Sequence, residues 1–522
     1  MHILRKYLVP IILALALLLP CLAAGPALAA DPPAEALKII NKPMYQLGRW
    51  GLLVTDKKTG QVLYERASDK LFEPASTTKL FTCAAAMQVL GADNTIKTPV
   101  FMRGELDKSG VLKGDLILVG SGDQTLGGRT LPNGRVAFCD TDHTYDQLPG
   151  TALTKPNPLA GLDELARQVA AAGVKRVAGD VLVDQRLFQM GPVRPDERLS
   201  NSALIINDNA IDIVMTPTKP GQPAKVTWRP KSLALAVDAK VITGPKGSEP
   251  VGDFSSPGPG RIVVRGMVPA GAAPQVKIFP VGDPGDWARA LFIEALDRAG
   301  VQVMASALAK NNVCALPPWS AYGRLEKVAR FTSPPLKETI RLILKTSHNL
   351  AANQLPLVMA ASQGMHTMEE GMALEGRVLA RMGVPVKTIS LSDGEGGDRT
   401  DRLSPRAVVK LLEIMAKRKD FPAYYDALPI LGVDGSLHHA AGPDSPARGK
   451  VRAKTGSTIG GDLLNNRGYF LTKGLAGYIT AKSGRELIFA VYVGGFFLNS
   501  MEEVMQVGRD MGSITQAIYL AN

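Results

Sequence analysis

The chain has 522 residues, with 60 Lys+Arg against 48 Asp+Glu, a net charge of +12, 45% hydrophobic and 21% charged residues. That balance fits a folded globular protein and excludes a disordered or fibrous one. Only 6 His and 4 Cys occur, which argues against a metal protein built on His or Cys clusters, and at roughly 150 residues per domain the length implies about three domains.

Residues 1–29 read as a secretory signal. Arg5 and Lys6 give a basic start, Leu8 to Leu19 is almost wholly apolar, and Ala27-Leu28-Ala29 is an A-x-A cleavage site. The apolar run is short for a permanent membrane helix, and the bulky Pro20 before Cys21 argues against lipid-modifying cleavage. The expectation is an exported protein, periplasmic or on the cell-envelope exterior and soluble after signal cleavage. Of the remaining cysteines, Cys83 sits in an apolar helical run and reads as a buried hydrophobe. Cys139–Cys314 is the only pair to consider outside the cytosol, and three free thiols is the preferred reading. A basic exported protein is drawn to anionic membrane or wall surfaces. The basic stretch Lys219 to Lys246 lacks the interleaved aromatics that stack bases, so it reads as a solvated face and no nucleic acid is expected.

After the signal, Trp50 to Thr55 and Gln61 to Tyr64 read as strands joined by the turn Asp56-Lys57-Lys58-Thr59-Gly60. Pro74 to Lys79 opens a helix that runs to about Leu90 and is ended by Gly91. From 97 to 283 the texture changes to short β-like runs broken by Gly and Pro, including Asp115 to Gly120, Asp180 to Asp184, Ala210 to Pro217, Ala224 to Trp228 and Arg261 to Val268, with one helix at Leu159 to Ala172. Helices follow at Asp286 to Ala299, Pro335 to Lys345, Leu350 to Gln363 (with Pro356 inside it), Glu369 to Met382 and Pro405 to Lys417. Strands Gly474 to Ala481 and Glu486 to Val493 precede a closing amphipathic helix with Val504, Val507, Met511, Ile514 and Ile518 on one face. Strands at both chain ends around a helical middle imply an antiparallel sheet assembled from both ends. The expected fold class is therefore α/β (multi-domain α+β), a sheet flanked by helices, with catalytic segments 30–96 and 284–522 and a β-rich insert, 97–283, of two nested subdomains.

Three short motifs carry chemistry. In Ser76-x-x-Lys79 an i, i+3 spacing at a helix start places both side chains on one face. A serine hydroxyl needs a base to become a nucleophile, and a lysine serves if burial and a neighbouring cation lower its pKa. The helix N-terminus also aims N–H groups at a developing oxyanion. Ser347-His348-Asn349 lies between two helices, where a loop presents a hydroxyl and an amide to a cleft. Lys454-Thr455-Gly456 follows a strand-like approach, whereas the second K-T-G, Lys58-Thr59-Gly60, lies in a hairpin turn and reads as turn chemistry. Each triplet alone is weak. In this order they form the three-element set of serine penicillin-recognising enzymes.

On these residues the sequence resembles the class C low-molecular-mass penicillin-binding proteins, the D-alanyl-D-alanine carboxypeptidase/endopeptidases, over nearly all of the mature chain. The likeness extends to Phe72 to Leu80, Asn207-Asp208-Asn209, Thr216 to Lys225, Ser392-Asp393-Gly394-Glu395-Gly396 and Leu431 to Leu437. The long separation of Ser76 from Ser347 matches the family's habit of inserting domains between its first two motifs. The resemblance implies a transpeptidase/β-lactamase-like catalytic domain that acts on peptidoglycan stem peptides. Ser76 would attack a D-Ala-D-Ala or D-Ala-crosslink carbonyl with Lys79 as base. Ser347 would relay the proton to the leaving amine, and Asn349 would hold the substrate amide and Lys79. Lys454 and Thr455 would bind the terminal carboxylate, Gly456 would allow close approach, and the N–H groups of Ser76 and Ser457 would form the oxyanion hole. β-Lactams would acylate the same serine and remain. No metal or other cofactor is needed, because nucleophile, base and carboxylate anchor are organic groups.

Some positions depart from the family pattern. His348 is an unusual middle residue, expected to face solvent or the cleft, and Glu395 stands where the family usually has serine. Residues 458–473 imply a longer excursion after the third motif, and Thr125 to Pro156 is also long. The rival readings are a β-lactamase, for which Glu395 is the nominal water-activating base, and a wall-binding scaffold with an idle site. A Ser-His-Asp hydrolase is disfavoured because no G-x-S-x-G occurs.

Overall fold

The computed structural model describes residues 30–192, 194, 197–258 and 260–522; the signal segment expected at 1–29 lies outside them. Among the described residues no helix is long and apolar enough to cross a membrane.

The catalytic sheet is antiparallel and draws on both ends of the chain. Its order is Val451–Asp462, Arg467–Thr480, Glu486–Gly494, Arg49–Asp56 and Val62–Arg66. Arg49–Asp56 pairs along its whole length with Glu486–Gly494. Both strands are buried on two faces, which explains their nearly continuous apolar sequence. The period-two alternation separates two cores. Leu53, Ala476, Ile488, Ala490 and Tyr492 face the helical middle, packed with Leu80, Phe81, Leu344, Leu355 and Leu412. Leu52, Val54, Leu475, Phe489 and Val491 face the other way, onto Ala36 and Ile40 of the helix Ala34–Ile40 and Val507, Met511, Ile514 and Ile518 of the helix Met501–Ala521. The closing helix, Met501–Ala521, is thus a core element.

The inserted region has its own core. A six-stranded sheet, including Lys97–Leu106, Val111–Val119, Val181–Asp184 and Glu326–Thr332, carries helices Ala160–Ala171 and Pro284–Arg298. Nested within it are two three-stranded sheets, one of Ala236–Gly244, Val251–Gly258 and Arg261–Pro269, the other of Ala210–Thr216, Lys225–Arg229 and Gln275–Pro280. The boundary expected at 283 moves accordingly. Leu291, Phe292 and Leu296 pack in the inserted core, and Glu326–Thr332 pairs with Lys97–Leu106. The insert therefore runs to Thr332. Helical periodicity located the element at 286–299 but held no information on which core it joins.

The excursion at 458–473 is a hairpin arm. Val451–Asp462 and Arg467–Thr480 stay paired out to Asp462 opposite Arg467. The returning strand first has Phe496–Leu498 as its neighbour, at Gly468 to Phe470, and joins Glu486–Gly494 from Lys473 onward. The three cysteines among the described residues are free, with Cys83 buried as expected. Cys139 and Cys314 do not pair, because they are tied to different places. Asp140, next to Cys139, reaches the Gly435 amide, while Arg103 on the inserted sheet holds the Ala315 carbonyl beside Cys314.

Candidate active site

Ser76 lies on the 3-10 turn Ala75–Thr78, which runs directly into the helix Lys79–Leu90. Leu80 to Met87 is buried all round, so this helix is central and its first residue, Lys79, is fully buried. The Lys79 amine lies 2.8 Å from Ser76 Oγ, 2.8 Å from Asn349 Oδ1 and 3.0 Å from the Glu395 carbonyl oxygen. The last two atoms can only accept hydrogen bonds. A neutral amine has two hydrogens for them and one lone pair left, which points to the Ser76 hydroxyl. Burial lowers the Lys79 pKa to about 8, against the opposing pull of Glu395 and Asp393. Geometry and charge together equip Lys79 as a general base for Ser76.

Ser347 caps the helix Leu336–Thr346 in the left-handed region (φ 66°), and Asn349 begins the next helix, Asn349–Ala361. That helix continues through Pro356, which has no N–H to give the Ala352 carbonyl. Gly394 packs on this carbonyl, where a Cβ would lie 2.4 Å from the oxygen. The loop carrying Glu395 is thereby seated against the second motif.

Lys454 enters from the edge strand of the sheet, fully buried. Its amine donates to Ser347 Oγ at 2.9 Å and to the Thr455 carbonyl at 2.7 Å. Burial, followed by repulsion from Lys79, lowers its pKa well below the usual lysine value. Thr455 Oγ1 lies 2.8 Å from Ser436 Oγ. At Gly456 a Cβ would stand 2.5 Å from the Pro74 carbonyl oxygen and 3.2 Å from the Ser76 nitrogen, so glycine lets the strand lie against the nucleophile turn. Ser457 is exposed beside it and accepts from Lys473 at 2.7 Å. The eight residues singled out in the three motifs thus converge on one cleft, while Lys58-Thr59-Gly60 forms the hairpin turn (Gly60 φ 74°).

Other residues join them that the motifs do not name. The Tyr145 hydroxyl, from the inserted region, lies 2.5 Å from the Ser347 carbonyl and 3.0 Å from Asn349 Oδ1. Ser436 and Lys473 face Thr455 and Ser457. Burial lowers the Lys473 pKa to about 8. Ser436 lay within the landmark Leu431 to Leu437; Tyr145 and Lys473 had no signal beyond lying in unusually long segments.

Two expectations change. His348 does not face solvent or the cleft; it is fully buried, with Nδ1 accepting the Ala351 N–H at 3.2 Å. Glu395 is buried too, its carboxylate paired with Arg194, so it is not placed to activate water at the cleft. Asp142, Asp208 and His348 stand close enough to hold a cation. Arg129 already takes that role, donating to Asp142 at 2.6 Å and Asp208 at 2.7 Å.

Among curated proteins the chain is 29% identical over 503 residues to a D-alanyl-D-alanine carboxypeptidase of Actinomadura sp., covering 91% of this chain and 84% of that one. It is 24% identical over 467 residues to the D-alanyl-D-alanine carboxypeptidase DacB of Haemophilus influenzae, covering 87% and 86%. The crystal structure of penicillin-binding protein 4 from Haemophilus influenzae superposes with a TM-score of 0.66 at 20% identity, covering 91% of this chain and 98% of that one, which shows a shared fold. With residues 35–517 matched by the model of that family, the chain belongs to the D-Ala-D-Ala carboxypeptidase 3 (S13) family, and it is a serine-type carboxypeptidase of the class C low-molecular-mass penicillin-binding proteins.

Proposed function

We propose that this chain cleaves D-Ala-D-Ala bonds of peptidoglycan stem peptides, and D-Ala-crosslink bonds, through an acyl-enzyme on Ser76. The observation that carries the reading is the Lys79 amine, whose two acceptor-only partners leave its lone pair for the Ser76 hydroxyl. Lys79 takes the hydroxyl proton as Ser76 Oγ attacks the penultimate D-Ala carbonyl. The N–H groups of Ser76 and Ser457 hold the oxyanion. Ser347, hydrogen-bonded to Lys454, relays the proton that Lys79 took from Ser76 to the leaving amine as the C–N bond breaks. Asn349 orients Lys79 and the substrate amide. Lys454 and Thr455 anchor the terminal carboxylate, and Gly456 keeps the strand close. Water then attacks the ester and releases the shortened peptide. A β-lactam carbonyl enters the same position and acylates Ser76. The buried, Arg194-paired Glu395 favours a peptidase over a β-lactamase, which needs a further base at the cleft. Export through the segment ending at Ala29 and attraction of a basic chain to the anionic envelope complete this reading.

Fluorescent penicillin labelling of the wild type and Ser76→Ala tests it. Labelling of the wild type alone is expected, with stoichiometric rather than sustained nitrocefin turnover. Equal labelling of both proteins, or of neither, overturns the assignment. Digestion of monomeric and crosslinked muropeptides then measures carboxypeptidase against endopeptidase action.

A further inference from the structure

Behind the second motif lies a buried ionic cluster that the reaction just described does not use. Arg129 bridges Asp142 and Asp208. The His143 ring nitrogens contact Asp208 at 2.7 Å and Asp212 at 2.5 Å, and Arg229 donates to Asp212 at 2.9 Å. Burial opposes charge on His143, but Asp212 and Asp142 raise its pKa to about 10. Three carboxylates therefore face two guanidiniums and an imidazolium. All these groups come from the inserted region, and they meet the catalytic domain at His348. With Nδ1 accepting the Ala351 N–H, the ring hydrogen of the neutral tautomer is on Nε2. Nε2 stands 3.2 Å from Asp208 Oδ1 and 3.8 Å from Asp142 Oδ1. The approach is not aligned as a directed hydrogen bond, so its orienting force is electrostatic. Asp208 is itself held in a strained stretch, with φ of 50°, 55° and 53° at Asn207, Asp208 and Asn209.

We propose that the inserted region positions the second motif, with Asp208 and Asp142 orienting His348 and, through it, Ser347 and Asn349. The ring is hydrogen-bonded at Nδ1 and faces the two carboxylates with Nε2, and the His348 amide donates to the Ile343 carbonyl at 3.1 Å. The residue between the hydroxyl and the amide is therefore held on its ring and its backbone alike. Ser347 sits immediately before it in a left-handed conformation that a non-glycine residue adopts only when its surroundings impose it. His348, Asp208 and Asp142 are buried and act through Ser347 and Asn349, as positioning residues.

This inference rests on the peptidase reading, and its test separates the two. In the full-length chain, kcat and KM for D-Ala release from a D-Ala-D-Ala stem peptide are measured for wild type, His348→Asn, Asp208→Asn and the double variant, well below their unfolding temperatures. Asparagine is a strong helix cap, so His348→Asn keeps the helix start. Each single variant is expected to lose roughly ten- to a hundredfold in kcat, with KM within about twofold, and the double variant to lose no more than the worse single. An unchanged kcat in His348→Asn, or multiplying losses in the double variant, overturns the proposal. If Asp208→Asn does not fold, His348→Asn decides through the kcat and KM split, because it leaves the carboxylates paired with Arg129. A wild type that neither releases D-Ala nor takes up penicillin fails the peptidase reading itself.

Discussion

The Lys79 amine touches Ser76 Oγ at 2.8 Å from a position with no solvent exposure. Because its pKa is held at about 8 by burial, penicillin acylation should rise with pH and level off above about 8. Lys79→Arg keeps a cation that cannot deprotonate, and should slow acylation by roughly 10²- to 10⁴-fold. The same shift acts on stability. Between about 8 and the ordinary lysine value of 10.5 the unfolded chain binds more protons, so this group makes the fold more stable as pH climbs through that window. Stopped-flow acylation across pH checks the first effect. A flat profile between pH 6 and 9 would remove Lys79 as the base.

Gly456 is held to glycine by space, because any Cβ there meets the Pro74 carbonyl oxygen at 2.5 Å. Gly456→Ala must push the edge strand away from the nucleophile turn, at a cost of about 1–3 kcal/mol. Ser457 moves with the strand, so acylation should fall together with the unfolding temperature. Calorimetry and penicillin labelling on one preparation test both effects; a variant with wild-type labelling would show that the two backbones need not touch.

Much of this architecture is legible in the sequence because its signals are local. The strand Glu486–Gly494, the helix Lys79–Leu90 ended by Gly91 (φ 86°) and the three motifs each declare themselves within about a dozen residues. What escapes is set by contacts across the chain. Pro284–Arg298 shows a helical period but joins the inserted core. Tyr145 gains its role only when the insert folds back onto Ser347, 202 residues away. His348 resembles a cleft residue until Asp208, far off in sequence, covers it.

At the tip of the hairpin arm Leu463 and Leu464 are 93% and 92% exposed, while the arm itself is held by Arg467, which packs over the Phe497 ring at 3.6 Å and donates to the Asp462 carboxylate at 2.9 Å. Leu463→Ser/Leu464→Ser should therefore leave folding stability within about 0.5 kcal/mol of the wild type. Arg467→Ala should loosen the arm and bring faster amide exchange at Thr458 to Asp462. Hydrogen exchange separates the cases, and equal protection in Arg467→Ala would show that strand pairing alone holds the arm.

Glu375 lies in the helical core at 1% exposure, with Thr82 Oγ1 donating to it at 3.3 Å. Burial raises its pKa to about 8, and the nearby Asp393 and Asp401 add to the shift. The folded state therefore binds more protons than the unfolded chain between the ordinary value of 4.5 and about 8, and this group's contribution to stability declines as pH rises through that interval. Glu375→Gln removes the titration while keeping the shape and a hydrogen-bonding carbonyl. Near pH 5 the variant should match the wild type. Above pH 8 it should be the more stable protein, by up to several kcal/mol at about 1.4 kcal/mol per pKa unit. Urea melts at pH 5, 7 and 9 measure the difference directly. An advantage that does not grow with pH would mean that Glu375 is ionised in the folded protein and stabilised by partners other than Thr82.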